Sequence, residues 1–400
     1  MKIIVQKYGG SSLATPDLIS KIASNVISTK RRGYEVVVVV SALGDTTDHL
    51  VELSQKVAQN PPRREMDMLL SVGERISISL LAMAISEKGY AAISFTGSQV
   101  GIITNTDHTR ARILEIKGDR IRQELRNGKI VVVAGYQGVS VAKEITTLGR
   151  GGSDTTAVAL TAALNAERCE ILTDVDGIYT GNPRTVIDAK LISEMTHDEM
   201  LDMAELGSHV LNSAAVEFAK RHNIKIYVGS SFTGKIGTIV TDDPLDRGHV
   251  TGVTVDENVV LLELNDRIKE TNFSLISDLV REGIAVKFIL ESRDMCSIVL
   301  KKEDLAAAKN LIGDLSQVAI HEETGLISVI GVGINFETPI MGTILNVFAE
   351  MSLIPRLYCL SETRLSFGIM KDSLEGAASK IHRALLIDTP VVPDLHNEKI

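Results

Sequence analysis

The sequence predicts an α/β protein: a mostly parallel sheet with helices on both faces, followed by two small ferredoxin-like modules. Three observations carry this expectation. Short Val- and Ile-rich runs, apolar at nearly every residue, recur through the first 240 residues, as strands covered on both faces require. Stretches of helical period separate them, and strand–helix alternation builds a parallel sheet. After a polar, Pro-containing linker at Thr241–Arg247 the rhythm changes to strand, helix, strand, strand, helix, and then repeats, which suggests two similar units in tandem.

Strands are expected at Lys2–Gln6, Glu35–Val40, Ala91–Phe95, Lys129–Ala134, Glu170–Leu172 and Ile224–Val228. Helices are expected over 16–32, 64–88, 109–126, 153–166 and 197–222. Past the linker, Val259–Leu264, Ile284–Leu290 and Cys296–Leu300 read as strands, with helices at Thr271–Arg281 and Glu303–Ile312. The second unit repeats this with strands Leu326–Val332, Ile354–Leu360 and Arg364–Met370 and helices Pro339–Met351 and Leu374–Leu386. The expected domains are therefore 1–240, 250–315 and 316–390.

Bulk properties narrow the function. A chain of 400 residues, 44% hydrophobic and 23% charged, is a globular protein with at least one large core. The net charge of −9 and the absence of any Lys/Arg-rich run argue against nucleic acid as a partner. Cys169, Cys296 and Cys359 are far apart and sit among apolar residues, so they read as buried hydrophobes rather than a zinc site or disulfide framework. No metal site is expected from protein side chains alone. MKIIVQKYGG reads as a strand and Gly turn, not a leader, and runs such as Val36–Val40 are too short to span a bilayer. A cytoplasmic protein without membrane contact is expected.

Ligands of doubly wound sheets bind at the carboxyl ends of the strands, and there the polar, Gly-containing clusters fall. Lys7 ends the first strand and precedes Gly9, Gly10, Ser11 and Ser12. Glycines let amides approach phosphate oxygens, and a following helix adds positive potential. The lysine precedes the glycines, so this is not a Walker A loop, and an ordinary Gly turn after a strand would read the same way. Ser41 and Thr47 flank the loop after the second strand and suit a turn as well as a ligand. Glu74 lies in LLSVGERIS, on the apolar helix or on its polar face. The run Gly149–Thr156 opens a helix; Arg150 can grip a carboxylate or phosphate in bidentate fashion, and Asp154 is equally readable as a plain helix N-cap. In Thr173–Arg184, Tyr179 suits a nucleotide base and Arg184 its phosphates, while the DG and NP pairs also suit a solvated turn. The convergence of these segments on one predicted edge favours a site.

On these residues the sequence resembles the aspartate kinases of the amino acid kinase superfamily. The matching stretches are KYGGSS, VVVSALGDTTD, EMDMLLSVGERIS, FTGSQVGIITNTDHTRARI, VVAGYQG, ITTLGRGGSDTTAVALTAALNAERCEILTDVDGIYT and VEFAKRHNI. They cover nearly all of residues 1–240. The resemblance implies a three-layer α/β/α sandwich on an eight-stranded sheet and C-terminal tandem ACT domains, which bind amino-acid effectors and dimerise. It implies ATP-dependent phosphorylation of L-aspartate to 4-phospho-L-aspartate, the first step towards lysine, threonine and methionine, with Mg²⁺. Lys7 and Asp154 would be catalytic. Ser41, Thr47, Glu74, Arg150, Gly152 and Ser153 would hold aspartate. Lys7, Gly9, Gly10, Ser11, Thr173, Asp174, Tyr179, Arg184 and His209 would hold the nucleotide.

Several positions depart from the family pattern. His209 stands where a lysine is expected near the nucleotide, Asn212-Ser213-Ala214 replaces His-Pro-Arg, and Asn182 replaces an Asp. In the first C-terminal module the expected Asp-x-Pro-Gly turn reads Asp266-Arg267-Ile268-Lys269, and Glu291 stands where glutamine is common. Asp266 and Glu291 remain candidates for an effector's ammonium group. The expected assembly is a homo-oligomer, at least a dimer, joined through residues 250–390, with weak or absent inhibition by lysine or threonine. The rival readings are a kinase-like amino-acid sensor with weakened turnover and a kinase for another amino-acid carboxylate.

Overall fold

The computed structural model describes residues 2–149, 151–242, 250–265, 269–292, 295–313, 318–336 and 338–388. They form two compact units. The first comprises Met1–Ile178, Leu191–Ala204 and His209–Arg247; the second comprises Tyr179–Lys190, Glu205–Ser208 and Gly248–Ile400.

The first unit runs β1 (Ile3–Tyr8), α1 (Pro16–Arg31), β2 (Glu35–Val40), α2 (Thr46–Val57), α3 (Arg63–Leu70), α4 (Val72–Glu87), β3 (Ala92–Phe95), β4 (Ile102–Thr104), β5 (Ile113–Ile116) and α5 (Asp119–Arg126). It continues with β6 (Ile130–Ala134), β7 (Gln137–Ser140), β8 (Ile145–Thr147), α6 (Gly152–Leu164), β9 (Arg168–Thr173), β10 (Glu194–Met195), α7 (His197–Glu205), α8 (Ser213–Arg221), β11 (Ile226–Ser230) and β12 (Ile236–Val240). Eight strands form one sheet in the order β10-β12-β11-β9-β1-β2-β6-β3. Every pairing in it is parallel except β11 with β12. The three-layer sandwich implied by the resemblance is present.

The strand period of two sorts the core. Tyr8, Val36, Val38, Val40, Ile130 and Val132 form one cluster with Ile22 and Val26 of α1 and Leu81 and Ile85 of α4. The alternate residues turn to the opposite face, where α6 packs along β1. Fully buried aliphatic side chains contribute about 1.5–3 kcal/mol each, so the Val36–Val40 run, 0% exposed throughout, is among the strongest holds on the sheet. Thr15 fixes the start of α1 by accepting the Leu18 N–H, with Pro16 at the first helical position.

Three expectations are corrected here. The helix expected over 64–88 is two helices that meet at Ser71. The helix expected over 197–222 divides into α7 and α8. The stretch 109–126 is loop to residue 112, then strand β5, and turns helical only after Gly118, whose φ is +67°. A small sheet, β5-β4-β7-β8, and the strands β10 and β12 at one end of the large sheet were not anticipated. The stretch Arg63–Glu87 has the length and apolarity of a bilayer span, yet Ile78, Leu81 and Ile85 are buried in the core of this unit.

The second unit runs β13 (Gly252–Asp256), β14 (Val259–Asn265), α9 (Lys269–Arg281), β15 (Val286–Glu291), β16 (Met295–Lys301), α10 (Leu305–Ile312), β17 (Val318–His321), β18 (Thr324–Ile330), α11 (Thr338–Glu350), β19 (Leu357–Leu360), β20 (Arg364–Met370) and α12 (Leu374–Leu386). Two antiparallel sheets result, β15-β16-β14-β17 and β13-β18-β20-β19. The strands do not respect the expected division at 315/316, a junction outside the described residues. β13 lies within the expected first module yet pairs with β18, and β17, within the expected second, returns to pair with β14. Leu261, Phe288 and Val299 of one sheet share a core with Leu326 and Leu357 of the other. The segment Tyr179–Lys190 is fastened within this unit: Val253 N–H donates to the Thr180 carbonyl, His382 Nε2 lies 2.8 Å from Thr180 Oγ1, and Arg383 pairs with Asp188.

Candidate active site

Lys7 lies in β1 in register with Val39 of β2 and Ile171 of β9. Tyr8 faces the α1/α4 core, so strand alternation turns Lys7 to the face covered by α6. There its Nζ makes an ion pair at 2.7 Å with Asp154 Oδ1. Asp154 sits in the first turn of α6, and the helix cap is Gly151, not Asp154. That removes the plain N-cap alternative. Asp154 Oδ2 also accepts the backbone N–H of Asn212 at 3.3 Å.

The loops after β1 and β2 are laced together at the same edge. Ser41 N–H donates to the Tyr8 carbonyl at 3.2 Å, and Gly44 N–H to the Gly10 carbonyl at 3.1 Å. A Cβ on Gly10 would lie 2.8 Å from the Ala42 carbonyl oxygen, so only glycine lets the loops approach this closely. Gly9 lies beneath the Lys7 ammonium, with a hypothetical Cβ 3.6 Å from Nζ. Ser11 is exposed, whereas Ser12 is buried and hydrogen-bonds Ser231 Oγ at 2.7 Å. Ser41 and Thr47 are half-buried, at either side of the β2–α2 turn.

Glu74 is not a surface residue. It is 3% exposed, and its Oε1 accepts the Ala42 N–H at 3.2 Å. Its other oxygen, Oε2, is buried without a hydrogen-bond partner. Burial pushes the carboxyl up to about 7, against the opposing pull of backbone N–H groups. A buried acid with an unused oxygen beside the β2 loop is suited to receive a cationic group.

Gly152 and Ser153 begin α6 and are buried. Gly151 has φ +70°, and a Cβ there would fall 2.2 Å from the Asn212 side chain. Arg150 lies outside the described residues. On β9, Thr173 Oγ1 bonds Asp174 Oδ1 at 3.0 Å, and the Thr173 carbonyl accepts the Ser231 N–H. His209 and Asp174 are exposed. Tyr179 and Arg184 fall in the second unit. In the same segment Asn182 accepts the Arg184 N–H through Oδ1, so the amide closes its turn as an aspartate would. Glu291 ends β15 and is exposed, and Asp266 lies outside the described residues.

Motif reasoning singled out Asn212 only as a departure and passed over Asp67 altogether. Asn212 is the N-cap of α8, accepting the Ala214 N–H, and it packs on Gly151. Asp67 is 0% exposed and ties α3 to β8. An acid within RREMDMLL reads as the polar face of a helix, and nothing local distinguishes it.

The sequence pattern of the amino acid kinase family matches residues 2–230. An aspartokinase of Geobacillus stearothermophilus is 41% identical over 395 residues, covering 96% of this chain and 97% of its own. One from Mycolicibacterium smegmatis is 43% identical and covers 96% of each chain. The crystal structure of E. coli aspartokinase III in complex with aspartate and ADP (R-state) has a TM-score of 0.85 at 26% identity, over 96% of this chain and 100% of that one. The complex of the same enzyme with lysine and aspartate (T-state) has a TM-score of 0.78 at 27% identity, over 96% and 99%. With relatives this similar along both halves, and the motif residues of its first half gathered at one sheet edge, the chain belongs to the aspartokinases of the amino acid kinase family.

Proposed function

We propose that the chain transfers the γ-phosphoryl group of ATP to the side-chain carboxylate of L-aspartate, giving 4-phospho-L-aspartate and ADP. The supporting observation is the Lys7–Asp154 ion pair at the carboxyl edge of the sheet, beside the Gly9–Gly10 turn. An aspartate side chain ionises with a pKa of about 4, so the acceptor needs no base. A carboxylate oxygen bonds to the γ-phosphorus as the bond to the bridging oxygen of ADP breaks. The obstacle is bringing one anion to another, which calls for positioning and charge neutralisation. Lys7 suits the transferred phosphoryl group. Asp154, held by Lys7 and the Asn212 amide, orients the lysine rather than removing a proton.

Glu74 suits the α-ammonium of the substrate. The cation would restore the ionised carboxylate and satisfy the unused Oε2. Ser41, Thr47, Gly152, Ser153 and, from the motif, Arg150 would take the carboxylates. Thr173 and Asp174 are proposed for the nucleotide. Tyr179, Arg184 and His209 remain candidates from the motif. Among the described residues no cluster of three His, Cys, Asp or Glu side chains is poised for a metal. Mg²⁺ would be carried by ATP and would supply neutralisation of the polyphosphate charge. The second unit is proposed to bind an amino-acid effector and to join two copies of the chain, in a cytoplasmic enzyme.

The test is incubation with ATP, Mg²⁺ and a panel of amino acids, trapping acyl phosphate with hydroxylamine. Aspartate should give the hydroxamate and glutamate should not, since its carboxylate would be displaced by one methylene. Equal turnover of glutamate would overturn the substrate assignment.

A further inference from the structure

The first unit buries a carboxylate, that of Asp67, on which three elements converge. Asp67 of α3 is 0% exposed. Its Oδ1 accepts the Thr147 hydroxyl at 2.5 Å and the Thr109 N–H at 3.0 Å. Its Oδ2 lies 2.6 Å from His108 Nδ1 and 3.2 Å from the Thr109 nitrogen. Helix α3, the β4–β5 loop and the end of β8 are thus fastened to a single side chain.

Thr109 has φ +68°. A β-branched residue in the left-handed region is a strained outlier that persists only where its surroundings impose it. The Asp67 carboxylate supplies that constraint by gripping the Thr109 amide. The twist aims the Thr109 carbonyl at Gly149, where a Cβ would lie 3.3 Å away. Two residues on, Ala111 N–H donates to the Thr147 carbonyl at 2.9 Å. Thr147 and Gly149 are the last described residues before the Gly151–Ser153 turn that opens α6 beside Asp154.

We infer that Asp67 is a positioning residue for the aspartate-binding turn: by holding Thr109 in its left-handed conformation it sets the path of residues 147–149, and hence the turn at 151–153. This rests on the reading of that turn as part of the aspartate pocket. Asp67, fully buried, offers no surface to a ligand. Its loss should therefore disturb aspartate binding selectively, because β1, β9 and their nucleotide loops are not among its partners.

The experiment measures steady-state kinetics of full-length Asp67→Asn, Thr147→Val, Thr109→Gly and the Asp67→Asn/Thr109→Gly double variant. Folding is checked by circular dichroism and thermal melting, and Thr109 amide exchange is followed by mass spectrometry. Asp67→Asn should raise KM for aspartate at least about 10-fold, with KM for ATP and kcat at saturating aspartate within about threefold, and should speed Thr109 exchange; tenfold corresponds to 1.4 kcal/mol. Thr147→Val should give a smaller change in the same direction. Glycine accepts positive φ without help, so Thr109→Gly should restore most of the aspartate KM in the Asp67→Asn background. An unchanged aspartate KM, equal rises in both KM values, or a double variant no better than the single would overturn the inference. Activity lost only in proportion to unfolded protein would do the same. A wild-type enzyme that fails to turn over aspartate would instead remove the substrate reading, and the inference with it.

Discussion

Lys7 Nζ stands 2.7 Å from Asp154 Oδ1, across the gap between the central strand and the first turn of α6. The pair is largely buried, so each charge depends on the other. Lys7→Ala should lower kcat by about 10²–10³-fold or more, as loss of a transition-state donor does. It should also cost about 3–5 kcal/mol of stability by leaving Asp154 buried and unpaired. Adding Asp154→Asn should recover part of that stability and none of the rate. Urea unfolding with the hydroxamate assay separates the two. A stability loss without a rate defect in the folded fraction would make Lys7 a strut.

Glu74 predicts an opposition between stability and activity. Its carboxyl is raised from 4.5 to about 7 by burial, so the folded state binds the proton more tightly than the unfolded chain. Stability therefore falls as pH rises from the unfolded value through about 7. At pH 8 the penalty is complete, about 3 kcal/mol. Glu74→Gln should be more stable than the parent by about 2–4 kcal/mol at pH 8 and equal to it near pH 4.5. The same variant should raise KM for aspartate about 100-fold, having lost the partner for the ammonium. Urea titrations at the two pH values test the sign, and equal effects at both would discard the desolvation argument.

Gly151 should resist substitution for two separable reasons. A methyl group there meets the Asn212 side chain at 2.2 Å, and φ is +70°. Gly151→Ala should cut aspartate turnover and destabilise the fold. Asn212→Gly should relieve the collision, since the Asn212 Cβ itself would lie 2.4 Å from the added methyl, leaving about 1 kcal/mol of backbone strain. A double-mutant cycle by chemical denaturation measures the coupling; additive losses would place the clash elsewhere.

His209 is exposed, so its exchange for a permanent cation should have a modest effect. His209→Lys should tighten ADP binding by a few-fold at low salt and lose most of that gain at about 0.5 M salt, where screening is strong. Calorimetric titration at both ionic strengths checks it. A gain independent of salt would point to contact rather than charge.

The parallel sheet was legible because burial on both faces leaves a local mark: Val36–Val40 cannot be mistaken for anything solvated. The edges left no such mark. The strand β4 has three residues, β5 carries Glu115 between Leu114 and Ile116, and the charged stretch after Gly118 imposes its helical period on the whole of 109–126. The site divides similarly. Lys7, Gly9 and Gly10 were legible only because other Gly-containing polar segments fall at the same predicted edge, since the turn alone reads equally as an ordinary one. Glu74 looked equally like a surface acid, since its burial comes from the β2 loop, which sequence distance conceals. Asp67 was invisible for the same reason, with all its partners far along the chain.

The exchange of strands β13 and β17 between the two C-terminal sheets has a consequence for how this half of the chain comes into being. β13 leaves the ribosome before every strand it will join, and β18, its one neighbour among the described residues, emerges only after β14 to β17. Pairing across such separations is slow, because the loop must close before any contact rewards it. The first sheet reaches its full width only with β17, and the second only with β20. The heritable unit is therefore the pair: a gene fragment ending before residue 318 would encode one sheet lacking an edge and one strand lacking a sheet, and duplication or loss of a single module would strand an unpaired backbone in the other.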